Sequence, residues 1–478
     1  MPDLRRQVLE SGKTISRKAA SREGSRSASR VSSAQHSRQS SRNASRQPSD
    51  DEETASLSDS TAWSIASLDD LNDNPDLGNV DWTQELHDVI EDLLERKRSS
   101  VQGREAALAA FCRISKFHYV EEEIRIRIKD LLSVFLKSIK TQSSERETTL
   151  ALQALELLAI SAFDNTIYEN TEPLITRTIR DSTSNSVKAA AIHCLSCCAA
   201  FGGAGEDSIF GQMTFFLDIV ASDGQSIDAT DDPDSVTAAI QEWGFLATEI
   251  DDLEAESEEA VQIFLDQLNS EHSQVQIAAG ENIALLYEKS YSPQEDYNDQ
   301  NSDEEDDSEE ELFSGDRGGT RLVKRYDAYH NTYEIERELQ SLATVHSKRI
   351  SKKQKKNLHS SFISILTTIE DPRRGPMYNT AIDQDTGRHY GSRAIVKIGD
   401  SAMNIDRWWK WIRLNTLRRI LRGGFSEHYY QGNRAVLDSL PVMMRITAQT
   451  DRAGARKAAK SRSHARKWAA LDHSDEEI

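Results

Sequence analysis

A short helical pattern returns about every forty residues through the middle of this chain, and that recurrence restricts the fold more than any other feature. Val187-Lys188-x-Ala190-Ala191 is followed by Leu195, eight residues after Val187. The same spacing returns as Val275-Gln276-x-Ala278-Ala279 with Ile283, and as Gly103-Arg104-x-Ala106-Ala107 with Phe111. Weaker copies start at Glu147 (Leu150, Ala151, Leu155) and Val236 (Ala239, Ile240). The anchors 103, 147, 187, 236 and 275 stand 44, 40, 49 and 39 residues apart. A period of about 40–47 residues belongs to two- or three-helix HEAT or armadillo units. In each unit the small Ala pair lets the second helix approach its neighbour closely. The widest gap holds an acidic insertion, Ser222–Pro233.

The intervening sequence is amphipathic at helical spacing. Leu86, Val89, Ile90, Leu93 and Leu94 lie on one face; Ile124, Ile128, Leu131, Leu132, Phe135, Leu136 and Ile139 form a second stripe, and Val261, Phe264, Leu265 and Leu268 a third. No period-2 run of useful length interrupts residues 81–290, so no strand is expected there. About five helix pairs over 80–292 should stack into one superhelical core, stable only as a stack. The expected fold is all-α, a HEAT/armadillo-like superhelix with a small mixed C-terminal extension and disordered termini.

Charge divides the chain into three. Residues 1–48 carry 11 basic and 3 acidic groups, residues 49–320 carry 17 and 59, and residues 321–478 carry 30 and 17, giving the overall -21. An acidic body between two basic ends points to ends that meet polyanions. Hydrophobic residues are 37% of the chain, below the usual 45–50% or so, which fits a folded part diluted by polar segments. The Ser/Arg-rich head, residues 1–60, cannot bury enough surface to order. Arg-x-x-Ser recurs there at Ser25, Ser29, Ser41, Ser45 and Ser49, the spacing basophilic kinases read. A few phosphates of about -1.5 to -2 charges each would cancel the head's positive charge. A plain solubilising tail is the alternative. Residues 293–318 read as an acidic loop or linker, since 295–316 hold twelve acidic residues and no basic one.

A basic C-terminal domain, 319–448, is expected to follow. It should hold helices near 332–348 and 354–370, a Pro/Gly-rich connection from Asp371 to Pro376, a short strand Arg393–Gly399, and a helix from Ile405 to Arg422 that stops at Gly423-Gly424. In that last helix Trp408, Trp411, Ile412 and Asn415 share one face, and Trp409, Arg413 and Leu417 another. Interleaved aromatic and basic residues can stack on bases and neutralise phosphates. Arg407, Lys410, Arg413, Arg418, Arg419 and Arg422 are therefore nucleic-acid-binding candidates. At least two of the Trp rings are expected to be core, docking the helix on the last repeats and leaving the arginines as the exposed side.

The tail, 449–478, adds Arg452, Arg456, Lys457, Lys460, Arg462, Arg466 and Lys467 on an Ala-rich, helix-prone segment with too little apolar content to pack. Those seven charges are the strongest polyanion candidate; a nuclear localisation signal or a free tail is the competing reading.

Catalytic, metal and cofactor chemistry find no support. Cys194-x-x-Cys197, with Cys198 and His193 beside them, lacks the second Cys pair that a closed zinc site needs, and these cysteines read as small core residues of a repeat helix. Gly202-Gly203-Ala204-Gly205 has no preceding strand and no following Lys, so it reads as a turn. No run of 18 apolar residues and no apolar h-region after MPDLRRQVLE is present, so neither a membrane span nor a secretory signal is expected. Four cysteines point to a reducing compartment, cytoplasmic and/or nuclear.

The order of these blocks resembles the interferon-related developmental regulator family. The resemblance rests on Ala278-Ala279-Gly280-Glu281-Asn282-Ile283-Ala284-Leu285-Leu286, a basic segment Lys348–Lys356, a block made of Arg393–Gly399, Trp408–Arg422 and Gly424-Phe425, and a basic tail, Arg452–Lys467. It covers roughly residues 80–470. The Ser/Arg-rich head and the acidic stretch 295–316 are departures from it. The resemblance implies a non-enzymatic regulator of gene expression, in a family linked to transcriptional co-regulation and to translationally inactive ribosomes. Two readings follow. In the first, the protein binds ribosomes or RNA-containing complexes through its basic C-terminal part and protein partners through its repeat surface. In the second, it is a nuclear transcriptional co-regulator that grips protein partners on an acidic concave repeat face.

Overall fold

Each anchor of the repeat falls in the first turn of a helix, and at three of the five a serine three positions earlier explains why the helix begins there. In the computed structural model, Ser100 Oγ accepts a hydrogen bond from Gly103 N–H (3.1 Å), Ser144 Oγ from Glu147 N–H (3.0 Å) and Ser184 Oγ from Val187 N–H (3.4 Å). Asp232 caps the next such helix through Ser235 N–H (2.9 Å), with Pro233 in its first turn. These side chains satisfy amides that no helical carbonyl can reach. The structure describes residues 81–95, 99–162, 164–293, 322–344, 352–382, 389–392, 394–398, 401–440 and 445–446.

Helices pair as hairpins. The first members are α1 (Trp82–Leu94), α4 (Ile128–Thr141), α6 (Ile167–Asp181), α8 (Glu206–Ala221), α10 (Glu254–Gln267) and α12 (Thr332–Thr344). The second members are α2 (Val101–Phe117), α5 (Glu145–Ala162), α7 (Asn185–Phe201), α9 (Pro233–Ala247), α11 (Ser273–Lys289) and α13 (Lys352–Glu370). A single turn, α3 (Glu121–Ile124), precedes α4. Every second helix packs on its hairpin mate and on the second helices before and after it, so these six form one continuous layer. Ala191 and Ala279, where the repeat pattern expects close helix approaches, are fully buried. Gly280 allows another: a Cβ there would meet Ile365 Cδ1 of α13 at 2.7 Å. One hydrophobic core runs from Leu86 to Leu440, and all described residues lie in a single unit, Leu57–Ile478.

The acidic insertion at 222–233 is built, not slack. Ile227 and Ala229 are buried, and Lys188, itself buried in α7, donates from its ammonium to the Ile227 carbonyl. The stretch 294–321 lies outside the described residues, but its flanks pair: β1 (Tyr291–Pro293) and β2 (Leu322–Lys324) are antiparallel, with Tyr291 opposite Lys324. The residues flanking 294–321 therefore stand side by side.

After α13 come an antiparallel hairpin, β3 (Tyr378–Ile382) with β4 (His389–Ser392), and a three-stranded sheet in the order β5 (Ile395–Ile398), β6 (Ser401–Asn404), β7 (Arg445–Ile446). Val396 and Met403 face each other in that sheet and are buried. The long helix α14 (Trp408–Leu421) follows, then a 3-10 turn at Arg422–Gly424 and two short helices, α15 (Phe425–Tyr430) and α16 (Arg434–Ser439). Among the described residues no helix is long and apolar enough to cross a membrane.

Candidate functional site: the second-helix layer and the helix that covers it

α14 lies across the layer of second helices. It touches α11, α9, α5 and α2, and thus spans the stack from the fifth hairpin back to the first. Trp408, Ile412, Leu414, Leu417, Ile420, Leu421 and Phe425 are all buried there. Its start is set by α11: the Glu288 carboxylate accepts from Trp408 N–H (2.8 Å) and Trp409 N–H (3.2 Å), and so caps α14 from a different helix. One face of Trp408 reaches α13, where its indole N–H donates to Thr368 Oγ1 (2.7 Å). The Trp411 indole N–H donates to Glu281 Oε1 (2.9 Å), seven residues before Glu288 on α11. Burial pushes the Glu281 and Glu288 carboxyls up to about 7, partly offset at each by these N–H donors.

The arginines follow the same direction. Arg419 Nη1 meets Glu156 Oε1 of α5 at 2.6 Å, and its Nη2 meets Glu242 Oε1 of α9 at 3.0 Å. Glu242 is 1% exposed and also contacts His193 Nδ1 of α7 at 2.6 Å. Burial opposes the charged form of Glu242, but Arg419 and His193 more than offset it and hold the carboxyl below its ordinary range. Burial likewise opposes charge on Arg419, and the two glutamates outweigh it and keep the guanidinium charged. Arg413 donates to Thr248 Oγ1 (2.8 Å), Thr248 O (2.9 Å) and Ser439 O (3.1 Å), and pairs with Glu249 at 2.9 Å. Its guanidinium also lies over the Trp409 ring, 5.2 Å from the centroid.

Beyond α14 the chain reaches the first hairpin. The backbone at Gly424 passes so close to α2 that a Cβ would lie 1.6 Å from the Lys116 carbonyl oxygen. His428, fully buried, has its Nε2 at 3.1 Å from Ser115 O and its Nδ1 at 3.0 Å from Asn433 Nδ2. Both contacts fit one neutral tautomer, donating at Nε2 and accepting at Nδ1. Burial lowers its pKa to about 4. Gln431 accepts from Tyr119 N–H at 2.7 Å.

This placement corrects the expectation that the α14 arginines form an exposed side. Arg413 and Arg419 point into the stack because α14 is covered on nearly every side, so its cations meet the carboxylates that the second helices present. Lys410 is paired with Asp406 at 2.5 Å and lies near the Trp409 ring. Arg407, half-buried, sits close enough to Glu288 to lower it. Arg422 is exposed. Arg418 is half-buried, with neither a hydrogen bond nor an ion pair among the described residues. The expectation that at least two Trp rings are core fits Trp408, buried, and Trp409 and Trp411, each half-buried against the core. The helix reaches past the last repeats as far as α2. Cys112, Cys194, Cys197 and Cys198 are all buried free thiols, and burial raises Cys194 and Cys197 well above the ordinary thiol range.

Arg452, Arg456, Lys457, Lys460, Arg462, Arg466 and Lys467 lie outside the described residues, as do Ser25, Ser29, Ser41, Ser45 and Ser49. The receiving carboxylates Glu156, Glu242, Glu249, Glu281 and Glu288 are absent from the sequence-based candidates. A signal for four of them exists: Glu156 in ALQALELLAISA, Glu242 in AAIQEWGFLA, and Glu281 and Glu288 in AAGENIALLYEK interrupt apolar helices. A carboxylate in such a run asks for an internal partner.

The chain matches the family model described as interferon-related developmental regulator over residues 48–370. It is also similar to an uncharacterized protein of Schizosaccharomyces pombe, 28% identical over 355 residues, covering 74% of this chain and 73% of that protein. The family match ends at the close of α13, so α14 lies beyond it.

Proposed function

Because the chain belongs to the interferon-related developmental regulator family, we propose that it is a non-enzymatic regulator of gene expression that binds ribosomes or RNA-containing complexes through its basic C-terminal part. In this reading the tail residues Arg452, Arg456, Lys457, Lys460, Arg462, Arg466 and Lys467 are the principal anchor. Seven phosphate contacts would make binding weaken steeply from low to moderate salt. The observation that carries the reading is the covered second-helix layer. Glu156, Glu242, Glu249, Glu281 and Glu288 are already engaged by α14 and its flanks. Those five carboxylates are therefore not open to a protein partner, so this reading stands ahead of a nuclear co-regulator gripping the second-helix layer. Protein partners would then use the remaining repeat surface.

A sucrose-gradient profile of the tagged full-length protein, with and without nuclease and high salt, tests it. Co-sedimentation with ribosomes that salt and nuclease abolish is the expected result. Absence from ribosomal fractions in every growth state overturns it and puts the co-regulator reading first.

A further inference from the structure

We propose that in the free protein the basic tail, Arg452–Lys467, lies against the face formed by the first helices of the fourth and fifth hairpins, α8 and α10. This goes beyond the RNA reading and does not depend on it, because it concerns the tail when no polyanion holds it. From Ala189 to Glu288 the chain has 20 Asp and Glu and not one Lys or Arg. That stretch covers α8, α9 and α10 whole and nearly all of α11. Its engaged carboxylates take their cations from elsewhere in the chain. Glu242 and Glu249 use α14, Asp252 pairs with Arg325 at 3.2 Å, and Glu258 meets His330. On the side away from α14, Glu206, Asp207 and Asp218 of α8 and Glu256, Glu259 and Asp266 of α10 have no cationic partner among the described residues. All six are exposed except Glu256, which is half-buried. α8 and α10 pack side by side, so their carboxylates form two rows of one face. Asp207 and Asp218 are eleven residues apart, and Glu259 and Asp266 seven, spacings that return to the same side of a helix.

A face of one sign repels itself, and a run of cations on the same chain relieves it. Two basic segments lie outside the described residues, the head and the tail, and the path of the chain chooses between them. The head joins the repeats at Asp81, before α1, with the hairpins of α4 and α6 between it and α8. The C-terminal part instead ends beside α10. Arg413 bridges the two: its guanidinium donates to Ser439 O (3.1 Å), at the end of α16, and to Thr248 O (2.9 Å), and pairs with Glu249 (2.9 Å) in the loop that leads into α10. Past Ile446, which pairs with Ser401, about 20 Å of extended chain reaches Arg452. Seven cations follow within 452–467, and Lys460 and Lys467 repeat the seven-residue spacing of Glu259 and Asp266. Single exposed ion pairs are weak, but tethering gives the tail an effective concentration of about millimolar at its own face. Such a contact is held by charge alone, so salt should dissolve it.

Carbodiimide coupling of the full-length protein tests the contact. The reagent joins a lysine amine to a carboxyl as an amide and takes up the released water as its urea, so only touching groups couple. At low salt and low protein concentration, peptide mapping of the monomer should find Lys457, Lys460 or Lys467 joined to Asp218, Glu256, Glu259 or Asp266, and high salt should erase these links. Their absence at low salt overturns the proposal. So do links from Lys13 or Lys18, which would seat the head on this face, and links confined to a dimer, which would seat a second copy there. A second readout is the rate of trypsin cleavage within 452–467, followed by mass. Glu256→Gln, Glu259→Gln and Asp266→Asn together should speed cleavage several-fold. Asp88→Asn, Asp92→Asn and Glu95→Gln, at exposed positions on α1 and just after it, remove the same charge and should leave the rate as in the parent. Equal rates in the parent and both variants, or equal acceleration by both, overturn the contact. Links of the expected kind in a protein that never meets ribosomes would leave this contact standing while the RNA reading falls.

Discussion

Replacing Arg419 with Met should be among the most damaging single changes in the chain. The substitution keeps the apolar stem and removes the charge that lies between Glu156 and Glu242. Those carboxylates are 8% and 1% exposed, while Arg419 is 25% exposed. Breaking a buried pair by deleting one partner costs about 3–5 kcal/mol. The residual exposure of Arg419 argues for the lower end, about 3 kcal/mol. With a urea m-value of about 3 kcal/mol/M for a chain of this size, the midpoint should fall by about 1 M. The damage should come from the stranded carboxylates rather than from a lost attraction. Adding Glu156→Gln and Glu242→Gln to Arg419→Met should therefore restore most of the midpoint, because removing a whole buried ion set is often close to neutral. Urea unfolding followed by circular dichroism at neutral pH reads both. An Arg419→Met midpoint equal to the parent's would refute the reasoning, as would a triple variant no more stable than the single one.

Three further expectations follow from the same contacts. Gly424→Ala forces a Cβ against the Lys116 carbonyl, so the turn must leave α2; a midpoint unchanged from the parent's would show that the turn does not dock there. Glu281 has its folded pKa raised from 4.5 to about 7, so its contribution is present at low pH and is lost as pH rises between those values; Glu281→Gln, which can still accept from Trp411, should be more stable than the parent at pH 8 by about 1–3 kcal/mol and lose that advantage near pH 5. His428 has its folded pKa lowered from 6.5 to about 4, so its contribution is present above 6.5 and fades as pH falls toward 4; calorimetry of His428→Gln should show a shallower loss of stability on acidification than the parent shows.

The repeat was legible because it is local. The Ala pairs and the apolar stripes act within one or two helices, so the sequence pattern reports them directly. The helix expected at Ile405–Arg422 appears as Trp408–Leu421, and the one expected at 354–370 as Lys352–Glu370. What the sequence hides is the partnership between α14 and the repeats. Trp408 and Glu288 are 120 residues apart, and Arg419 and Glu156 are 263 apart. No periodicity links such positions. An arginine on an amphipathic helix reads as solvent-facing unless the carboxylate waiting for it is known. The strands β1, β2 and β7, two or three residues long, are too short to show alternation, and α15 and α16, six residues each, offer barely two turns. The acidic stretch 295–316 reads as a linker from its charge, yet its flanking residues pair as β1 and β2.

The central claim is that α14 is a fixed part of the repeat stack, closing the second-helix layer to other partners. Its buried side chains Trp408, Ile412, Leu414, Leu417, Ile420 and Leu421 contribute roughly 1.5–3 kcal/mol each. Together they amount to about 9–18 kcal/mol, comparable with the total stability of a typical domain, about 5–15 kcal/mol, so α14 should not leave without unfolding the rest. Amide hydrogen exchange of the full-length protein, read peptide by peptide, tests this most directly. The account predicts that amides of residues 411–421 exchange as slowly as those of α9 and α11, through global unfolding. Fast exchange across 411–421 while α5, α7, α9 and α11 stay protected would contradict it and return the acidic face to the list of open binding surfaces.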